Sequence, residues 1–210
     1  MRITKDNSFL LRYLEEIECG SIIVGQEMLL ELRRLREDIQ SEAYVYATKD
    51  AQTRFEFMEG CVRLTKSPFY GKQMVLMLWQ KAFIEALYSF KMPEEWAQGK
   101  RIDRFKRALL MIARKNAKSE TVSALGNAEF ICGNDGADLV CSSNDDTQAS
   151  IVYDAIDTMR QMYDPRDVDT KRNQRFVLNK ATNTKIFKLS DKTRNKEGRV
   201  CRLSESRKAG

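Results

Sequence analysis

Arg107-Ala-Leu-Leu-Met-Ile-Ala-Arg-Lys-Asn-Ala-Lys-Ser-Glu-Thr121 is the stretch on which the fold turns. Its apolar run, Ala108 to Ile112, has the length and composition of a buried strand. A short basic loop follows, ends in Lys118-Ser119, and passes at once into a helical pattern. Strand, loop and helix in that order make a phosphate-binding layout. Backbone N–H groups and the helix N-terminus face an anion, a Lys ammonium reaches the outer phosphates, and a Ser hydroxyl sits on Mg²⁺. The regular pattern is G-x-x-x-x-G-K-[ST], whereas Ala113 and Ala117 stand at both glycine positions here. Taken alone, the same residues also fit an exposed basic helix cap. The glycine before the Lys ordinarily permits a positive φ, and an Ala held in left-handed geometry costs about 1–2 kcal/mol.

The chain has 210 residues, enough for one ordinary core with a small helical appendage. Apolar residues make up 42% and charged residues 31%, which fits a globular rather than a disordered chain. No apolar stretch approaches a membrane span, and the start of the chain lacks the pattern of a secretory signal. Five scattered cysteines (19, 61, 132, 141, 201) without a C-x-x-C pair, and no His, argue against zinc and against a disulfide framework. Cys132 and Cys141 read as small core residues, and a reducing cytosol fits the set. Without His, triad hydrolases are excluded. Charge is uneven. Residues 171–210 hold 13 Lys/Arg against 3 Asp/Glu, so the remaining chain is acidic beneath an overall +6. Such a basic stretch suits contact with a phosphate backbone; residues 200–210 equally fit a solvated tail.

Helical spacing of Phe9, Leu10, Tyr13, Leu14 and Ile17 ends at Gly20, and Val24 to Ile39 and Ala51 to Leu64 give two further helices. These form an N-terminal helical arm over residues 1–66. Gln73 to Phe90 reads as one long, strongly apolar helix, and Pro93 to Lys100 as a loop. The pattern then alternates: strand 107–112, helix 119–132, strand 138–142, helix 146–163. That order argues for an α/β domain with a mainly parallel sheet. Two short strands, 175–178 and 185–189, surround the turn signal Asn179 to Thr184 as a hairpin.

Three segments carry a family resemblance. Pro68-Phe-Tyr-Gly-Lys-Gln-Met-Val-Leu-Met-Leu-Trp-Gln-Lys-Ala-Phe-Ile-Glu85 contains a Trp-Gln pair; Ala113-Arg-Lys-Asn-Ala-Lys-Ser119 is the loop; Leu139-Val-Cys-Ser-Ser-Asn-Asp-Asp-Thr-Gln-Ala149 runs from a strand into a helix start. Together they resemble the N-terminal ATPase of tailed-phage terminase large subunits, the motors that pump DNA into procapsids. In that family the loop often reads A-R-K-N-G-K-S, and this chain departs from it at one position. The resemblance covers residues 20 to 199. It implies a P-loop NTPase of the RecA-like (ASCE) class over 67–199, a divergent tail over 200–210, and ATP with Mg²⁺ as ligands. It further implies a nucleotide-binding set of Gln80, Arg114, Lys115, Asn116, Ala117, Lys118, Ser119 and Glu120. Within it, Lys118 serves the β- and γ-phosphates, Ser119 the metal, and Arg114 the γ-phosphate as the catalytic group. Gln80 would read the adenine edge, with Trp79 or Phe69 as an apolar wall. Arg114 and Lys115 equally fit solvent-facing charges, and Gln80 a polar residue on the less buried side of its helix. The implied partners are duplex DNA, the portal, the small terminase subunit and further copies of the chain, in the host cytoplasm and away from membranes.

Hydrolysis in such motors needs a strand ending in an acidic pair, one carboxylate for the magnesium shell and one to orient water. No stretch qualifies: Leu139-Val140-Cys141 lies three residues short of Asp145, Phe176-Val177-Leu178 ends in Asn179, and Ile186 to Leu189 leads to Ser190-Asp191. A metal-binding nuclease segment is also lacking. The expectation is therefore the front part of a packaging ATPase that binds nucleotide weakly and turns over little. Its rivals are a non-catalytic module holding nucleic acid or a partner through its basic end, and an inactive remnant.

Overall fold

The computed structural model describes residues 3–97, 100–142 and 146–189. Packing divides the chain into two compact units, residues 1–55 with 76–111 and residues 56–75 with 112–210. Sequence patterns had placed a boundary after residue 66; this grouping instead gathers residues 76–111 with the N-terminal helices.

In the first unit, α1 (Phe9–Glu18) turns Leu10, Leu14 and Ile17 inward against Leu32 and Leu35 of α2 (Gln26–Gln40). Ala82 of α4 (Leu78–Ser89) and Phe90 complete that cluster. Ser8 caps α1, and the buried Glu85 of α4 reinforces the cap. Its carboxylate accepts the Ser8 hydroxyl, the N–H groups of Phe9 (2.8 Å) and Leu10 (3.4 Å), and the Tyr46 hydroxyl. An anion at a helix N-terminus takes up donors that no helical carbonyl can reach. Burial first, and then the neighbouring Glu85 charge, push the Tyr46 phenol far above its ordinary range, so it stays a donor.

Two sequence expectations fail here. The long helix from Gln73 begins only at Leu78, because residues 74–77 alternate in burial: Met74 and Leu76 inward, Val75 and Met77 outward. That is strand periodicity inside a uniformly apolar run. The loop expected at 93–100 is part of a hairpin. β1 (Val45–Tyr46), β2 (Phe90–Ala97) and β3 (Lys100–Asp103) make an antiparallel sheet in that order. Pro93 sits where the β2–β3 register shifts between Lys91 and Glu95, a place that tolerates a residue without a ladder donor.

The second unit begins within α3 (Lys49–Cys61). Its sheet has the order β4 (Asp138–Ser142), β7 (Lys185–Leu189), β6 (Phe176–Asn179), β5 (Thr170–Arg172). Only β4 and β7 pair in parallel; β7–β6 and β6–β5 are antiparallel. The mainly parallel sheet is thus replaced by a mixed one, since the short β6–β7 turn cannot carry a parallel crossover. The expected hairpin is present. Helices α5 (Lys118–Cys132) and α6 (Asp146–Tyr163) lie beside this sheet, with Phe130, Val152, Tyr153 and Ile156 packed on Leu139, Cys141, Val177 and Ile186.

The expected strand 108–112 is absent. Leu109 and Met111 are 75% and 81% exposed, and the run joins none of the described sheets. An apolar run becomes a strand only when a neighbour takes up its backbone groups, and no described strand does so. Among the described residues no helix is long and apolar enough to cross a membrane. The basic stretch beyond Leu189, including 200–210, lies outside the described residues, as do Asp145 and Asp191.

Asp164, just past α6, accepts the N–H groups of Val168, Asp169 and Thr170 and the Thr170 hydroxyl, at 2.6–3.1 Å. Burial alone would raise its pKa, but these bonds together hold it below the ordinary carboxylate value. A depressed folded value gives stability that is complete above the unfolded pKa of about 3.9 and lost as pH falls through the folded one. In acid melts between neutrality and pH ~2, Asp164→Asn is expected to show a shallower loss than the parent. Glu85→Ala is expected to cost about 3 kcal/mol in chemical denaturation, because it orphans several buried donors at once. A loss within ~0.5 kcal/mol, the range of an ordinary surface substitution, would contradict that account.

Candidate functional site

Residues 112–117 form an exposed turn leading into α5. Lys115 and Ala117 both take positive φ, 69° and 55°. Ala117, with ψ 24°, is the N-cap of α5 in left-handed conformation and supplies no side-chain cap. A left-handed residue followed by a helical one swings successive N–H groups to one side, the backbone shape of an anion nest. The helix dipole adds positive potential at that point. Thr121 closes the first turn, donating both its N–H and its hydroxyl to the Ala117 carbonyl at 2.9 Å. The positive φ expected at the glycine position of such a loop is taken at residue 117 despite its Cβ.

Lys118 and Ser119 are half-buried on the first turn, while Arg114, Lys115 and Asn116 are exposed on the loop. Glu120 is buried. Its carboxylate accepts the Thr65 N–H at 3.0 Å and the Thr65 hydroxyl, which fixes the start of α5 against the 62–74 segment of the same unit. Sequence reasoning missed this tie. Thr65 lies 55 residues upstream with no local pattern to mark it.

Behind the loop, α5 is buried along both its sides. Small and polar residues, Ser123, Ala124, Asn127 and Ala128, let α6 approach closely. The Ser123 hydroxyl donates to the Val152 carbonyl, the Asn127 amide to the Ile156 carbonyl, and the Tyr163 hydroxyl to the Asn127 side-chain oxygen. Burial holds the Tyr163 phenol well above its ordinary range, so it too remains a donor. The loop is therefore carried on a helix with little freedom to roll.

Gln80 belongs to the first unit. It is buried, and its side-chain oxygen accepts the Met77 N–H at 2.7 Å as part of a capping box at the start of α4. In the second unit's sheet the strands end in Ser142, Arg172, Asn179 and Leu189, none of them acidic. Among the described residues no group of three or more Cys, Asp or Glu is arranged to hold a metal ion.

No protein-family model and no curated protein matches the chain. Among solved structures it is similar to the crystal structure of the HK97 bacteriophage large terminase, with a TM-score of 0.58 at 19% identity. The chain folds like part of a phage large terminase. The likeness takes in 74% of this chain and 30% of that one, so the chain spans less than a third of that protein's length. At this identity the shared property is the fold.

The left-handed Ala117 gives a direct stability test. Glycine at a helix start ordinarily costs backbone entropy, but here it removes strain of about 1–2 kcal/mol. Ala117→Gly is therefore expected to raise the unfolding free energy by about 0.5–1 kcal/mol in urea titrations. A destabilised glycine variant would mean that residue 117 is not left-handed.

Proposed function

We propose that this chain is the nucleotide-binding part of a DNA-packaging motor of the terminase large-subunit type, built on a P-loop of RecA-like class. The observation that carries this reading is the left-handed Ala117 at the start of α5, directly before Lys118 and Ser119. A triphosphate fits that nest by its chemistry, since converging N–H groups and a helix N-terminus favour an anion. In this reading Lys118 would neutralise the β- and γ-phosphates, and the Ser119 hydroxyl would help hold Mg²⁺, which would supply Lewis-acid charge neutralisation. Arg114 and Lys115, exposed beside the turn, add positive charge toward the γ-phosphate, and Asn116, Ala117 and Glu120 contribute backbone N–H groups. The adenine-edge role that the resemblance implies for Gln80 is carried over as part of the proposal.

The reading is one of binding. No carboxylate placed to orient an attacking water has been identified among the described strand ends, so turnover forms no part of it. Duplex DNA, the portal, the small terminase subunit and other copies of the chain are the partners it brings, in the cytoplasm of an infected cell.

A ligand that binds only the folded state stabilises it by about 2.7 kcal/mol at a hundredfold excess over Kd. Mg-ATP is expected to raise the melting temperature of the parent chain and to leave that of Lys118→Ala unchanged. Calorimetric titration is expected to find Ala117→Gly about ten-fold tighter, because losing the methyl lets the turn's N–H groups approach the phosphates more closely, and a gain of ~1.4 kcal/mol is a factor of ten. Absence of any Mg-ATP effect on both parent and Ala117→Gly would remove the proposal.

A further inference from the structure

Residues 62–74 of the second unit fold into a braced loop. Leu64 N donates to the Lys72 carbonyl (2.9 Å), Phe69 N to Lys66 (2.9 Å), Gly71 N to Leu64 (2.8 Å), Lys72 N to Phe69 (3.0 Å) and Met74 N to Val62 (3.1 Å). Arg63 and Gln73 pair across its base, and Gly71, at φ 77°, supplies the left-handed turn. Glu120 anchors the loop through both polar groups of Thr65. The tip presents Phe69 and Tyr70, 54% and 64% exposed. Two adjacent large rings held outward on a frame this well bonded are not the by-product of a floppy segment. They mark a surface that meets something flat and apolar.

Charge says what accompanies the rings. From Gly60 to Val75 the sequence holds Arg63, Lys66 and Lys72 and no carboxylate, and all three cations are exposed. The Lys72 ammonium lies over the Phe69 ring, 5.4 Å from its centre, so a cation sits on one face of the ring and the other is left for stacking. Rings interleaved with cations on one backbone are the recognition chemistry of unpaired nucleic acid, where bases stack on aromatics and the sugar–phosphate chain follows positive charge. A braced loop loses little freedom on binding.

We propose that the 62–74 loop is a docking surface for a single strand of nucleic acid, with Phe69 and Tyr70 stacking on successive bases and Arg63, Lys66 and Lys72 holding the phosphates between them. The observations favour a strand over the base of a free nucleotide. If a triphosphate sits at 113–119 it already has its own cations, and the three around the rings would meet no phosphate. The loop and α5 share the Glu120 tie, so a strand gripped here and an anion held at residue 117 act on the same helix start.

The test uses the full chain and two fluorescent probes at low salt, a short oligothymidylate and an abasic strand of equal length. The parent is expected to prefer the base-bearing strand several-fold. Phe69→Ala/Tyr70→Ala is expected to lose that preference and about ten-fold in affinity, with its melting temperature unchanged because both rings are exposed. Phe69→Leu/Tyr70→Leu keeps apolar bulk without a ring and is expected to behave as the alanine pair does. Lys66→Ala/Lys72→Ala is expected to weaken both strands alike and flatten the salt dependence. Lys118→Ala is expected to leave oligothymidylate binding intact, which separates this surface from the phosphate loop. Equal binding of the two strands, no binding by the parent, or unchanged affinity in the ring variants overturns the proposal. Loss of Mg-ATP affinity with oligothymidylate affinity retained also overturns it and assigns the rings to a nucleotide base.

Discussion

A single buried carboxylate, Glu120, holds the start of α5 in place. It takes both polar groups of Thr65, fixing the 62–74 loop to the helix turn that follows Ala117. A buried carboxylate left without those donors would be costly, so the two segments are held together or the turn is destabilised. The left-handed turn ahead of α5, the Thr121 closure and the braced aromatic loop share that anchor. The first unit uses the same device, where Glu85 gathers the start of α1 and Tyr46. In each case a buried glutamate takes donors from a segment far away in sequence: at α1 these include the helix's own first N–H groups, and at α5 they belong to Thr65.

Elements with their own local signal were legible before folding. The spacing of Leu10, Leu14 and Ile17 marks α1, the step from Lys118-Ser119 into apolar periodicity marks α5, and the turn residues 180–184 mark the β6–β7 hairpin. Even the positive φ at residue 117 could be read, because a phosphate loop asks for glycine there. Elements that depend on a distant partner were not legible. Residues 108–112 have strand composition but no described neighbour, and residues 74–77 hide a period of two inside a run where every residue is apolar. Pro93 looked like a chain break until the register shift in the β2–β3 ladder gave it a place. Glu85 and Glu120 belong to this second class, since a carboxylate's acceptor role depends on donors that sequence distance conceals.

The candidate site shows the same division. Lys118 and Ser119 open α5 after a turn with positive φ, but the strand expected ahead of that turn is not formed. Gln80 is buried and spends its side-chain oxygen on Met77, an occupation no motif announces. The fold likeness to a phage large terminase rests on architecture rather than on these side chains, at 19% identity. It bears on the fold alone.

The methyl group of Ala117 also has a genetic consequence. Alanine and glycine codons differ only at their middle base, so the chain stands one point mutation from a relaxed turn. Selection for tight retention of an anion would reach glycine in that single step.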